Sequence, residues 1–251
     1  MDNKDLQSKY NEMHKHGAGA WFSDGREERE TILKIGEPWH YDRVLEIGCG
    51  EGDLSLAMAK LGCFVTGIDY SEKAIDKAVK KLTRTVNDKY DLHFHKFNYR
   101  SVPINPGFQR IVMQGVLEHL DDPFGELQWM IEHFKPRTVI TSSPCFLNTR
   151  GIVWMTLDML GAVMSKTDLH YLDPNEFEDF CDIHNYSLRR MDCDFSWGNY
   201  DAMVQDLKTR IPLALKDGGL PEAKHLYHFL KWLNDYPFRG LGATMVYRID
   251  V

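Results

Sequence analysis

An α/β fold, with a seven-stranded, mostly parallel sheet flanked by helices, is what this sequence predicts, on two grounds. The first is alternation. Short apolar runs recur between stretches of helical apolar spacing, and strands alternating with helices of about 10–15 residues imply a parallel sheet covered on both faces. The second is a glycine-rich turn, Gly48-Cys-Gly-Glu-Gly52, set directly between the first apolar run and the first stretch of helical spacing.

Residues 3–36 read as two polar helices around a break, His16-Gly-Ala-Gly-Ala20. Val44–Ile47 is the first strand, and Leu54–Leu61 has helical spacing. Cys63–Ile68 is a second strand, after which Ser71 caps a helix running through Ala78 and Leu82. Leu92–Phe97, Arg110–Met113 and Thr138–Thr141 are further strands, with a helix over Phe124–Phe134. Beyond Pro144 the alternation loosens. An apolar helix near 151–164 precedes Asp173-Pro-Asn-Glu-Phe177, whose Asp-Pro start and acidic first turn mark a helix N-terminus. Ser187–Phe195 and Ala243–Ile249 are the closing strands. The stretch between them is too long for a plain loop and reads as two helices, Tyr200–Ile211 and Pro221–Leu233. The expected organisation is a single domain over 1–251, with an N-terminal helical cap (1–40), a cofactor-binding core (41–145) and a substrate and lid half (146–251).

Composition narrows the function classes. Thirty Lys and Arg against thirty-seven Asp and Glu give a net charge of -7. Phosphate backbones are held by clustered cations, so nucleic acid is not expected as a partner. Between Phe146 and Gly240 there are fourteen acidic and ten basic residues, so the lid half offers no basic track either. No apolar run approaches the ~20 residues of a membrane span, and no signal peptide is visible behind the charged start. The five cysteines form no CxxC pair. A cytoplasmic setting and no membrane partner are therefore expected. The pairs His14/His16, His93/His95 and His225/His228 lack an obvious third ligand, so no metal site is expected. A homodimer is compatible with the sequence and not required by it.

The chemistry concentrates at Val44-Leu-Glu-Ile-Gly-Cys-Gly-Glu-Gly-Asp53 and Gly67-Ile-Asp69. Glycines let a strand turn into a helix while the backbone approaches a ligand, and ligands of open α/β sheets sit at the carboxyl ends of the strands. Asp69 ends the second strand, nineteen residues after Gly50, where a carboxylate can accept both hydroxyl protons of a ribose. The pyrophosphate fingerprint GxGxxG has a third glycine where this chain has Asp53. A carboxylate would repel a pyrophosphate, whereas the sulfonium of S-adenosyl-L-methionine is cationic. Glu46 fits the same logic as a carboxylate near an ammonium group.

Glu46-Ile-Gly-Cys-Gly-Glu-Gly52 and Gly67-Ile-Asp69 resemble motifs I and II of the class I, Rossmann-like methyltransferases dependent on S-adenosyl-L-methionine. Val116-Leu-Glu-His-Leu-Asp-Asp-Pro123 and His170-Tyr-Leu-Asp-Pro-Asn-Glu-Phe177 resemble segments of that class's small-molecule branch, the ubiquinone-biosynthesis-type enzymes. The resemblance spans about residues 40–195. It implies that Glu46, Gly48, Cys49 and Gly50 line the methionine moiety and that Asp69 holds the ribose. Tyr70 would pack beside the adenine, with Asn98, Tyr99 and Gln114 completing the cofactor pocket. Asn98 stands where the family carries an aspartate five residues before a proline, here Pro103, and its amide oxygen can still accept from an exocyclic amine. Phe108-Gln109 replaces the family's usual Phe-Asp.

For catalysis the resemblance points to His119. In the related phosphoethanolamine methyltransferases a histidine at this place works with an N-terminal tyrosine, for which Tyr10 is the nearest analogue. A base helps when the methyl acceptor carries a proton, and neutral histidine suits that role. Trp154, Tyr171 and Trp197 belong to an aromatic set suited to line an apolar or cationic acceptor under a lid. Ser142-Ser-Pro-Cys145 lies where amino-methylating DNA enzymes carry a Pro-Pro-aromatic motif, and it lacks both the second proline and the aromatic. The expected activity is methyl transfer to an oxygen or nitrogen of a small metabolite. The alternatives are an NAD-dependent oxidoreductase and a non-catalytic cofactor-binding protein.

Overall fold

The computed structural model describes residues 25–85, 90–103, 107–145, 169–193 and 242–251. In chain order these form α1 (Arg26–Gly36), β1 (Arg43–Ile47), α2 (Asp53–Lys60), β2 (Phe64–Asp69), α3 (Glu72–Thr85), β3 (Leu92–Lys96), β4 (Arg110–Gln114), α4 (Pro123–Phe134), β5 (Thr138–Pro144), α5 (Pro174–His184), β6 (Ser187–Cys193) and β7 (Thr244–Asp250). The sheet order is β3-β2-β1-β4-β5-β7-β6. Strands β1 to β5 pair in parallel, and β7 inserts antiparallel between β5 and β6. The order reverses at β1 and β4, so the crevice above their carboxyl ends is the topological switch point.

All seven expected strands are present, with small shifts of their ends. The largest is β5, which continues to Pro144 because Ser142, Ser143 and Pro144 pair with Val246, Met245 and Thr244 of β7. Ser71 caps α3 as expected, accepting the N–H of Ala74 at 3.3 Å. Asp173 closes a full capping box with Glu176 at the start of α5. The expected first N-terminal helix and the three helices between 151 and 233 lie outside the described residues, as does any lid they form.

Strand residues divide between two cores. Val44, Val65, Val112, Ile140 and Val246 face Ile32, Ile35 and Trp39 of the N-terminal segment and Leu54 and Met58 of α2. Leu45, Ile47, Ile111, Met113, Val139, Tyr247 and Ile249 face α4 and α5, where Leu127, Met130, Phe177 and Phe180 are buried. The Phe177 and Tyr247 rings stack at 3.7 Å, fixing α5 to the sheet.

Two arginines of the sheet hold the end of α1. Arg110, 7% exposed, pairs with Asp42 at 2.7 Å, donates to the carbonyls of Gly36 and Pro38, and lies over the Trp39 ring at 4.5 Å. Arg248 donates to the carbonyls of Ile35 and Glu37 at 3.1 and 3.0 Å. Helix C-termini leave carbonyls without intrahelical partners, and guanidinium groups satisfy them. The first turn of α1 is thereby carried to the opposite, carboxyl end of the strands.

Candidate cofactor and acceptor site

β1 leads into a turn whose three glycines all have positive φ: Gly48 at 74°, Gly50 at 52° and Gly52 at 80°. They serve different ends. A Cβ on Gly48 would meet Val116 at 2.6 Å, and one on Gly52 would meet the Phe94 ring at 2.5 Å. These two glycines permit packing. Nothing lies within 4 Å of a Cβ on Gly50, so its backbone is the part of the turn open to a ligand. The turn is tied to β2, because Gly48 and Cys49 both donate to the carbonyl of Ile68 at 2.8 and 3.0 Å.

Asp69 closes the arrangement. Its carboxylate accepts the N–H of Gly50 at 3.0 Å on one oxygen and that of Ser71 at 2.7 Å on the other. The backbone thus orients both oxygens of the carboxylate, and each such oxygen accepts about two hydrogen bonds. That matches the vicinal diol of a ribose. Tyr70 follows, half-buried, its phenol held neutral by burial.

Glu46 lies one residue before the end of β1. It is 2% exposed and bonded to Ser55 of α2. Burial pushes its carboxyl up to about 8, with Asp69 and Asp53 adding to the shift and Ser55 and Arg29 opposing it. At neutral pH without ligand it is a largely protonated group beneath the turn. Cys49 is buried, with its thiol pushed well up by burial and by Glu46 and Asp69, which makes it packing and no nucleophile. Asp53 also differs in its surroundings. Its carboxylate pairs with Lys81 at 2.8 Å at the solvent-exposed start of α2.

Gln114, at the end of β4, donates to Glu28 of α1 at 2.6 Å. Arg29, on the same turn of α1, is close enough to Gly25 and to the buried Glu46 to act on both. The first turn of α1 therefore forms a wall beside Gln114 and Glu46. Sequence reading assigned 1–40 to a cap without singling out Glu28 or Arg29. Ser55 was missed too. Its one signal is its position nine residues after Glu46 in the first turn of α2.

β3 leads into a short turn that starts at Asn98. The amide oxygen of Asn98 accepts the N–H of Arg100 at 2.9 Å and so caps its own turn. The Tyr99 phenol donates to Glu126 of α4 at 2.7 Å and its ring meets Trp129 edge-on. The side chain thus packs on α4, because Glu126 and Trp129 offer it a hydrogen bond and an aromatic edge together.

The opposite wall is a turn, Leu117–His119, following β4. A strap over 169–173 lies against it, since Leu169 and His170 both donate to the carbonyl of Glu118, at 2.8 and 3.2 Å. His170 also bonds the carbonyl of Asp121 at 3.2 Å. His119 and Tyr171 thus come from two segments joined at one carbonyl. Tyr10, Trp154 and Trp197 lie outside the described residues. Among the described residues no group of three or more His, Cys, Asp or Glu could hold a metal ion, and no helix is long and apolar enough to cross a membrane. A cleft of about 330 Å³ lined by Arg43, Phe64, Thr66, Asp91, His93 and Phe108 opens at the other end of the strands, away from the glycine turn.

The model of a methyltransferase domain family matches residues 10–189. Among curated relatives, a ubiquinone biosynthesis O-methyltransferase of Haemophilus ducreyi is 27% identical over 59% of this chain and 66% of its own length. Another of the same name, from Aromatoleum aromaticum, is 41% identical over 32% of this chain and 34% of its own. The chain thus spans between a third and two thirds of the length of these relatives. Among solved structures, magnesium protoporphyrin IX methyltransferase from Synechocystis, with bound S-adenosylhomocysteine, aligns with a TM-score of 0.60 at 18% identity over 76% of this chain and 93% of that one. A phosphoethanolamine N-methyltransferase of Haemonchus contortus aligns with a TM-score of 0.57 at 14% identity over 89% of this chain and 52% of that one. These two likenesses are likenesses of fold.

Proposed function

We propose that this chain, which belongs to the methyltransferase domain family, transfers the methyl group of S-adenosyl-L-methionine to an oxygen or nitrogen of a small-molecule acceptor. The observation that carries the reading is the unit of Gly50 and Asp69, an open backbone turn fixed to an oriented carboxylate. S-adenosylmethionine, when bound, supplies an electrophilic methyl group on a cationic sulfonium. Asp69 accepts from the ribose hydroxyls, and Tyr70 flanks the adenine. Arg29 receives the methionine carboxylate, and Gln114 is held in place by Glu28 beside it.

The family match and the relatives' names favour this reading over an NAD-dependent oxidoreductase, and nothing favours a non-catalytic binder. The relatives are O-methyltransferases by name, which favours oxygen as the acceptor atom. Methyl transfer is an in-line displacement, so alignment supplies much of the rate. His119, on the turn at the strand ends, takes the acceptor's proton as the new bond forms. The test is release of S-adenosylhomocysteine across a panel of phenols, polyols and amines. Native enzyme turns over at least one member, and His119→Ala lowers that turnover by about 10²–10⁴-fold with unchanged cofactor affinity. A His119→Ala enzyme of normal turnover sinks the base, and no release from any acceptor sinks the activity.

A further inference from the structure

Strand alternation puts Arg43 of β1, Phe64 and Thr66 of β2 and His93 of β3 on one face of the sheet, the face that carries Leu45 and Ile68. Under α4 that face is packed with apolar side chains, Phe108 among them. Toward β3 it opens. The cleft of about 330 Å³ at the amino ends of the strands lies there, lined by Arg43, Phe64, Thr66, Asp91, His93 and Phe108. Ligand pockets run from about 300 to 1,000 Å³, so the cleft is large enough for a small molecule.

Its chemistry is set by a held cation between aromatic walls. Gln109 clamps the Arg43 backbone, accepting its N–H on the side-chain oxygen at 2.6 Å and donating its own N–H to the Arg43 carbonyl at 2.9 Å. The guanidinium lies against Gly107, where a Cβ would meet Nη1 at 2.8 Å. Among the described residues it forms no hydrogen bond or ion pair, unlike the guanidinium groups of Arg110 and Arg248. Gln109 is a neutral amide and brings no carboxylate to it. Phe108 is 7% exposed and meets Phe134 edge-on at 6.3 Å, so one aromatic wall is fixed. Phe64, 42% exposed, is the other, and half-buried Thr66 adds a hydroxyl. Asp91 carries the opposing charge. It stands across β2 from Arg43, about 10 Å away between backbones at the ~4.8 Å spacing of neighbouring strands, and lies 3.1 Å from His93 Nε2.

We infer that this cleft is a second ligand site, separate from the cofactor crevice, and that it takes a small aromatic monocarboxylate. The carboxylate sits on the Arg43 fork, whose parallel N–H groups match its two oxygens. The ring lies against Phe64 and Phe108. Asp91 repels a second carboxylate at the far end. In open α/β sheets catalytic ligands bind at the carboxyl ends of the strands. An occupant of the amino end therefore stands apart from the methyl transfer, and the inference does not rest on that activity.

The test is calorimetric titration of benzoate, benzyl alcohol and terephthalate into the full chain, as native protein, Arg43→Met and His119→Ala. Native protein is expected to bind benzoate about tenfold or more tightly than either other probe, the lower end of what hydrogen bonds to a charged group supply. Arg43→Met erases the preference over benzyl alcohol. It keeps the native unfolding midpoint and S-adenosylhomocysteine affinity, since the side chain it replaces is exposed and unbonded. Saturation with S-adenosylhomocysteine leaves benzoate binding unchanged, and so does His119→Ala. A native protein without the preference, or an Arg43→Met protein that keeps it, overturns the proposal. So does loss of the preference in His119→Ala, which would put benzoate in the acceptor crevice. Sedimentation that finds a native dimer, dissociated by Arg43→Met, overturns it as well, because a second copy would then fill this face.

Discussion

Gly50 donates its backbone N–H to Asp69 across 3.0 Å, which makes the turn after β1 and the carboxylate ending β2 one unit. The turn has positive φ at each glycine and gains a fixed shape from a side chain nineteen residues away. Binding to such a unit costs little reorganisation, which is the advantage of preorganised sites.

The wall supplied by α1 makes a prediction that separates one end of the cofactor from the other. Arg29→Met weakens S-adenosylhomocysteine binding by about ten- to a hundredfold, since a lost hydrogen bond to a charged group is worth ~1.5–3 kcal/mol. The same substitution leaves the affinity for 5′-methylthioadenosine, which lacks the amino-acid end, unchanged. Calorimetry with both ligands checks it, and equal losses would place Arg29 elsewhere.

Glu46 sets a pH dependence of stability. Its folded carboxyl is raised from 4.5 to about 8, so the native state holds a proton that the unfolded state releases. The associated stability is fully present below about pH 4.5, declines as pH rises, and is lost once pH passes about 8. Glu46→Gln, which keeps the hydrogen-bonding shape without the ionisation, flattens that decline. Denaturant unfolding at pH 5.5 and 8.5 in the absence of ligand should show the native protein losing more stability than the variant between the two. Parallel curves would mean that Glu46 is ionised.

Arg110 gives a prediction about folding alone. Arg110→Met leaves Asp42 and two carbonyls without their guanidinium partner, and breaking a buried pair costs about 3–5 kcal/mol. Thermal unfolding should fall by roughly 6–20 °C, at about 2–4 °C per kcal/mol for a chain of this size. A shift under 2 °C would show that α1 is held by its apolar face, through Ile32, Ile35 and Trp39.

The sheet was readable because its strands are short apolar runs set between glycines and helical spacing, a pattern carried locally by the chain. Asp69 and the glycine turn were readable for the same reason, since both stand beside strand ends. What the chain brings together from afar was not. Arg29 and Glu28 reach the pocket on a helix whose other end Arg110 and Arg248 hold, and no spacing in the sequence records that. Strand alternation sends Glu46 with Val44 toward α2, where Ser55 meets it, a partner that the sequence does not mark. Glu126 and Trp129 of α4, distant in the chain, meet Tyr99 in the same way.

The central claim is that Asp69 holds the ribose of S-adenosylmethionine, and calorimetric titration of S-adenosylmethionine, S-adenosylhomocysteine and NAD into native, Asp69→Asn and Asp69→Ala protein tests it most directly. The account predicts binding of the first two ligands and not of NAD by native protein. Asp69→Ala should weaken that binding by about ten- to a hundredfold and Asp69→Asn by less, with each variant still unfolding cooperatively. Unchanged affinity in Asp69→Ala, or binding of NAD in place of S-adenosylmethionine, would contradict it.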